Sequence, residues 1–179
     1  EAVLGRERSA FKRDDLTGLA MGGNKTRKLE FIIADAESKG ADVIVTGAGL
    51  QSNWSTQAAA AAIRCGMKPV IVSYGPLDEY RPEEYGGNQI LHYVLGADVR
   101  VCSVSSFADL QKEFDGIAEE YRERGYNPYI IRFGGSNSLG IMGYANAMLE
   151  LLSQATDQGV EIDYIVVCCG AGGTHAGLL

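Results

Sequence analysis

Short runs of β-branched and aromatic residues recur along this chain, each separated from the next by a longer stretch of helical pattern. The runs are DVIVTGA (42–48), PVIVSY (69–74), DVRVCS (98–103), PYIIRF (128–133) and DYIVVCCG (163–170). They are short and almost wholly apolar, as buried parallel strands are. Ahead of the first, TRKLEFIIADAESKG puts Leu29, Ile32, Ile33 and Ala36 on one helical face and ends at Gly40, which suits a C′ glycine. NWSTQAAAAAIRCG is rich in the best helix former and stops at Gly66. GNQILHYVLG, FADLQKEFDGIAEEYRERG and SLGIMGYANAMLELLSQA continue the series. Strand–helix alternation at this spacing predicts βαβ units, hence an α/β fold with parallel, doubly wound sheets and right-handed crossovers.

Ligands of such sheets sit beyond the carboxyl ends of the strands, so the strand-to-helix turns carry the functional question. They read TGAGLQSNWS (46–55), SYGPLDEY (73–80), FGGSNSLG (133–140) and CGAGGTHAG (169–177). Three of the four are dense in Gly, Ser and Asn. In the last, Gly170, Ala171, Gly172, Gly173 and Thr174 lead from a strand into a helix, where backbone N–H groups can converge on a phosphate. The spacing is not GxGxxG; a plain tight turn and a phosphate cradle both satisfy it, and the cradle is favoured. Ser52 or Asn53 suits the N-cap of the alanine-rich helix, as Ser136 or Asn137 suits the helix after 137.

A further cluster, GGNKTRKLE (22–30), gathers Lys25, Arg27 and Lys28 behind a flexible turn in a chain of formal net charge -7. A solvated helix start explains it, and so does a lysine acting on something anionic. GLAMGGNKT nearly matches a Walker A loop, but Asn24 separates Gly23 from Lys25, and FKRDDLT before it is no apolar strand, which argues against a nucleotide site. The acidic balance argues against nucleic acid and anionic membrane surfaces. No apolar run approaches a membrane span, and the first residues have no signal-peptide core. Cys65, Cys102, Cys168 and Cys169 show no CxxC, and His92 and His175 have no spaced partner. They predict reduced thiols, no metal and a cytoplasmic protein. Both ends look cut, the first residue not being Met and the last helix barely begun, so a fragment of a longer protein is expected.

KRDDLTGLAMGGNKTRKLE, GLQSN, GNQILHYVLGADVR, GGSNSLGIMGY and CGAGGTHAG stand here in the order found in the 1-aminocyclopropane-1-carboxylate deaminase and D-cysteine desulfhydrase family, which the chain resembles along nearly its whole length. These are pyridoxal 5'-phosphate enzymes of the tryptophan-synthase-β fold type, usually near twice this length. The resemblance implies a fold incomplete at the C-terminus. Residues 27–137 would form a small open-sheet domain, and 1–26 with 138–179 part of a larger cofactor-binding domain. It implies that Lys25 condenses with the cofactor aldehyde, its amine kept free by burial and nearby cations, and then serves as a base. Lys28 would contact the phosphate, Asn53 the phenolic oxygen of the pyridine ring, Ser52 the substrate near its carboxylate, and Gly170, Ala171, Gly172, Gly173 and Thr174 the phosphate; Arg27 is left a structural role.

The implied substrate is a small amino acid, either D-cysteine, giving pyruvate, sulfide and ammonia, or aminocyclopropane carboxylate, giving 2-oxobutanoate and ammonia. GGSN leans to the desulfhydrase branch. Trp54 departs from the family, whose desulfhydrase branch commonly has histidine there and deaminase branch glutamine, and STQ lacks the usual basic residue. The tryptophan either narrows the pocket or packs inward. Dimerisation is usual in the family. The contrasting expectation is a catalytically incomplete chain acting as a structural or binding module.

Overall fold

The computed structural model describes residues 9–75, 86–104 and 106–179. After a 3-10 turn at Asp14–Leu16, the chain runs α1 (Lys25–Ser38), β1 (Val43–Gly49), α2 (Asn53–Arg64), β2 (Lys68–Tyr74), α3 (Gly87–Val94), β3 (Asp98–Cys102), α4 (Phe107–Glu123) and β4 (Pro128–Ile130). A 3-10 turn at Phe133–Gly135 leads into α5 (Ser138–Asp157), and α6 (Gly173–Leu178) follows. The four strands form one parallel sheet in the order β3-β2-β1-β4. β1 pairs with β2 from Val43↔Lys68 to Gly49↔Tyr74 and with β4 from Val43↔Pro128 to Val45↔Ile130.

The period-two alternation of β1 explains the layers. Val43 and Val45 point to one face, joining Val70, Val72 and the α4 residues Leu110, Phe114 and Tyr121. Ile44 points to the other, joining Leu29 and Ile32 of α1 and Trp54, Ala58 and Ala62 of α2. Strands buried on both faces are the reason their sequences read as continuous apolar runs. α1 buries Leu29, Ile32, Ile33 and Ala36, as its spacing predicts, and both Gly40 and Gly66 follow their helices with positive φ.

The chain steps outward from β1 to β2 to β3, then returns to the other side of β1 for β4. The reversal makes the gap between β1 and β4 the switch point at which open α/β sheets take their ligands. The turns at 50–52 and 133–137 both open there. Most of the expected turn at 73–80 lies outside the described residues.

One strand expectation is corrected. Residues 163–170 do not form a strand; they run without regular structure, with Tyr164 85% and Val166 88% exposed. Their composition favours a strand, but a strand is stable only beside another, and no described segment pairs with this one.

Candidate active site

Lys25 is the first residue of α1, and Asn24 is its N-cap. The first turn of this helix holds no acidic residue but three cations, at the end where the helix dipole already favours an anion. Arg27 turns away from the other two. Its guanidinium donates to Asp14 at 2.9 Å and to Glu150 at 2.8 Å, and these contacts raise its pKa, the Glu150 bond most. Arg27 is therefore structural, tying α1 to α5.

Lys28 is different. Only 2% of it is exposed, and its Nζ donates to the Ser136 hydroxyl at 3.1 Å. Among the described residues no carboxylate pairs with it. Burial lowers its pKa, and the charge of Lys25 adds to the effect. Lys25 is partly buried, its pKa lowered by desolvation, and its Nζ donates to Asn24 Oδ1 at 3.0 Å. Asn24 in turn donates from Nδ2 to Thr174 Oγ1 at 3.1 Å, linking the lysine turn to the glycine-rich loop.

That loop approaches the cations as closely as a backbone can. A Cβ on Gly173 would lie 2.7 Å from Ser136 Oγ and 2.8 Å from Lys28 Nζ, so any side chain there would displace one of them. A cavity of ≈ 120 Å³ opens between these groups, lined by Asn24, Lys25, Lys28, Gly134, Ser136 and residues 168–175. A buried cation beside hydroxyls and close-packed backbone, with no counter-charge supplied by the described protein, fits a small anion such as a phosphate group.

Of the residues singled out by sequence, Lys25, Lys28, Gly170, Ala171, Gly172, Gly173 and Thr174 line this one cavity. Ser52 and Asn53 do not. Ser52 caps α2, its Oγ accepting from the Ser55 N–H at 3.3 Å. Asn53 is exposed and donates from Nδ2 to the Gly22 carbonyl at 3.4 Å, on the turn ahead of Lys25. Asn24 and Ser136 line the cavity as well, beyond the residues the sequence marks as a site. Asn24 carried a signal as the residue that breaks the Walker pattern. Ser136 stands in a turn whose sequence suits a helix cap at either Ser136 or Asn137, and the cap of α5 is Asn137, which accepts from the Gly140 N–H at 2.9 Å.

A model of the pyridoxal-phosphate dependent enzyme family matches residues 2–179. The chain is 42% identical over 177 residues to a D-cysteine desulfhydrase of Serratia proteamaculans, covering 98% of this chain and 52% of that protein. It is 44% identical over 177 residues to a D-cysteine desulfhydrase of Klebsiella pneumoniae, with the same coverage. Among solved structures, an ACC deaminase homologue superposes with a TM-score of 0.84 at 42% identity, covering 93% of this chain and 48% of that one. The chain thus spans about half the length of the curated relatives it matches.

Proposed function

Because this chain belongs to the pyridoxal-phosphate dependent enzyme family, we propose that it carries the lysine and phosphate-binding half of a site for elimination or deamination of a small amino acid, of the D-cysteine desulfhydrase or 1-aminocyclopropane-1-carboxylate deaminase type. One observation carries this reading. Among the described residues Lys28 is buried without a carboxylate partner, beside a loop packed too tightly for a side chain at Gly173. The cavity there is well below the roughly 300–1,000 Å³ of a whole small-molecule pocket, and suits the anionic head of a larger ligand.

In this reading Lys28, Ser136 and residues 170–174 hold the phosphate of pyridoxal phosphate. When bound, the cofactor supplies an aldehyde for Lys25 and a conjugated ring that takes up the electron pair freed at the substrate. Burial favours the neutral amine of Lys25, the form that is nucleophilic and able to accept a proton. Asn24 holds that amine towards Thr174. Ser52 and Asn53, at the switch point, are assigned to the substrate carboxylate and the cofactor ring. Residues 27–137 are assigned to the small domain, supported by the four described strands falling within it, and 1–26 with 138–179 to the larger cofactor-binding domain. A cytoplasmic location is proposed with this activity; among the described residues no helix is long and apolar enough to cross a membrane.

The test is to add pyridoxal phosphate to the purified chain, reduce with borohydride and map the labelled peptide. A pyridoxyl group on Lys25, lost in a folded Lys25→Ala variant, is the expected result, and D-cysteine and aminocyclopropane carboxylate then become the substrates to assay. A folded chain that takes no label at Lys25 rejects the reading and leaves the chain a structural or binding module.

A further inference from the structure

Gln57 lies on α2, wholly buried, and both ends of its amide are engaged. Nε2 donates to the Gly22 carbonyl at 2.6 Å, and Oε1 accepts from the Thr26 hydroxyl at 2.9 Å. A carbonyl can only accept, so the Gly22 bond fixes which end of the amide faces which partner. Gly22 precedes Lys25 by one turn of chain, and Thr26 follows it directly. Thr26 Oγ1 is 3.2 Å from the Thr17 hydroxyl, which accepts from the Gly23 N–H at 3.1 Å. The bonds therefore close a ring through Gln57, Gly22, Gly23, Thr17 and Thr26, with Lys25 carried on it.

The ring leaves no slack. Gly23 has φ +126, and a Cβ there would lie 2.7 Å from Gln57 Nε2. Buried amides are generally satisfied somewhere. Both bonds of this one reach across to another element, to the two sides of a single lysine.

We propose that Gln57 is the positioning residue of Lys25: its amide joins the Gly22–Gly23 turn to Thr26 and so sets where the Lys25 amine stands against Asn24 and the loop at 170–174. The inference deepens, and rests on, the assignment of Lys25 as the cofactor lysine. Gln57 contributes no reacting atom.

The experiment reads the amine directly, without cofactor. The purified chain is acetylated at graded pH, and the reactivity of each lysine is followed by mass spectrometry, with exposed Lys39 as reference. Gln57→Leu keeps the volume and removes both bonds. It is expected to change Lys25 reactivity at pH 7 about tenfold, the equivalent of one unit in its titration, while Lys28, bonded to Ser136 and coupled to Lys25 only through its charge, changes by a clearly smaller factor. A general loosening of the fold would move both lysines together. That outcome, or an unchanged Lys25 in a folded variant, overturns the proposal.

If Gln57→Leu does not fold, Thr26→Val removes one bond of the same ring at a partly exposed position and is read by the same criterion. The pyridoxyl labelling is run alongside on the wild-type chain. If it fails, the cofactor assignment falls, while the acetylation still decides whether Gln57 positions Lys25.

Discussion

Lys28 occupies surroundings that a lysine normally avoids, since water is excluded and its described partner is a neutral hydroxyl. Its lowered pKa means the folded chain binds fewer protons here than the unfolded chain, whose lysine titrates near the ordinary 10.5. Stability should therefore rise with pH between the depressed folded value and about 10.5. Tyr129, pushed up to about 12 by burial first and then by Asp35, acts in the opposite sense above pH 10, so the slope is best read below that. Lys28→Met should reduce this slope, leaving the part due to Lys25, whose pKa burial also lowers, and should stabilise the cofactor-free chain by about 1–2 kcal/mol at neutral pH, because a buried charge with no carboxylate partner among the described residues is replaced by an apolar chain of similar length. Urea denaturation across pH 7–10 measures both effects. The same variant should lose phosphate-dependent binding of pyridoxal phosphate, so a destabilised Lys28→Met would mean that the lysine has a partner within the protein.

At the scale of elements, Trp54 shows how the sheet and the site share one scaffold. It packs inward, 4% exposed, against the Gly134–Gly135 turn that delivers Ser136 to Lys28. Its Nε1–H donates to Thr46 on β1 at 3.0 Å, and Thr46 donates to the Ile131 carbonyl just past β4 at 2.7 Å. This small relay bridges the switch point. Trp54→Phe should cost about 1 kcal/mol for the lost bond, and Trp54→Ala about 3–5 kcal/mol for the cavity, both measurable by chemical denaturation.

The packing also explains what sequence could and could not tell. Four strands and their helices were legible because local pattern and burial agree, as at Ile44 and Leu29. The run at 163–170 misled because Tyr164 and Val166 have strand propensity, whereas pairing depends on a neighbour. The cations and the glycine loop were legible as one cluster, and Lys25, Lys28 and residues 170–174 do line one cavity. Ser136 and Gln57 were not, since a serine or glutamine acquires its role only when two distant turns meet.

At the scale of the whole molecule, Arg27, Asp14, Tyr144, Glu150 and Lys12 form one polar network joining the segment before α1 to α5. Arg27 above all, then Lys12, holds the Glu150 carboxyl down at about 2, against an ordinary 4.5. The sign follows: this stabilisation is complete above about pH 4.5 and is lost as pH falls towards 2. Glu150→Gln should flatten that acid limb in melting experiments by lowering stability at pH 7 and leaving it unchanged near pH 2, a difference that shrinks at high salt since Glu150 is partly exposed. A variant with an unaltered acid limb would show that the pair contributes nothing to folding.

Asn24 and Thr174, bonded to each other, are 150 positions apart. On the ribosome, the lysines would emerge before the loop that lines their cavity and wait while the residues between them are made. Contacts of such long range are slow to form, so a ligand seated there acts as a clasp between the two segments and favours the state in which they have met by mass action.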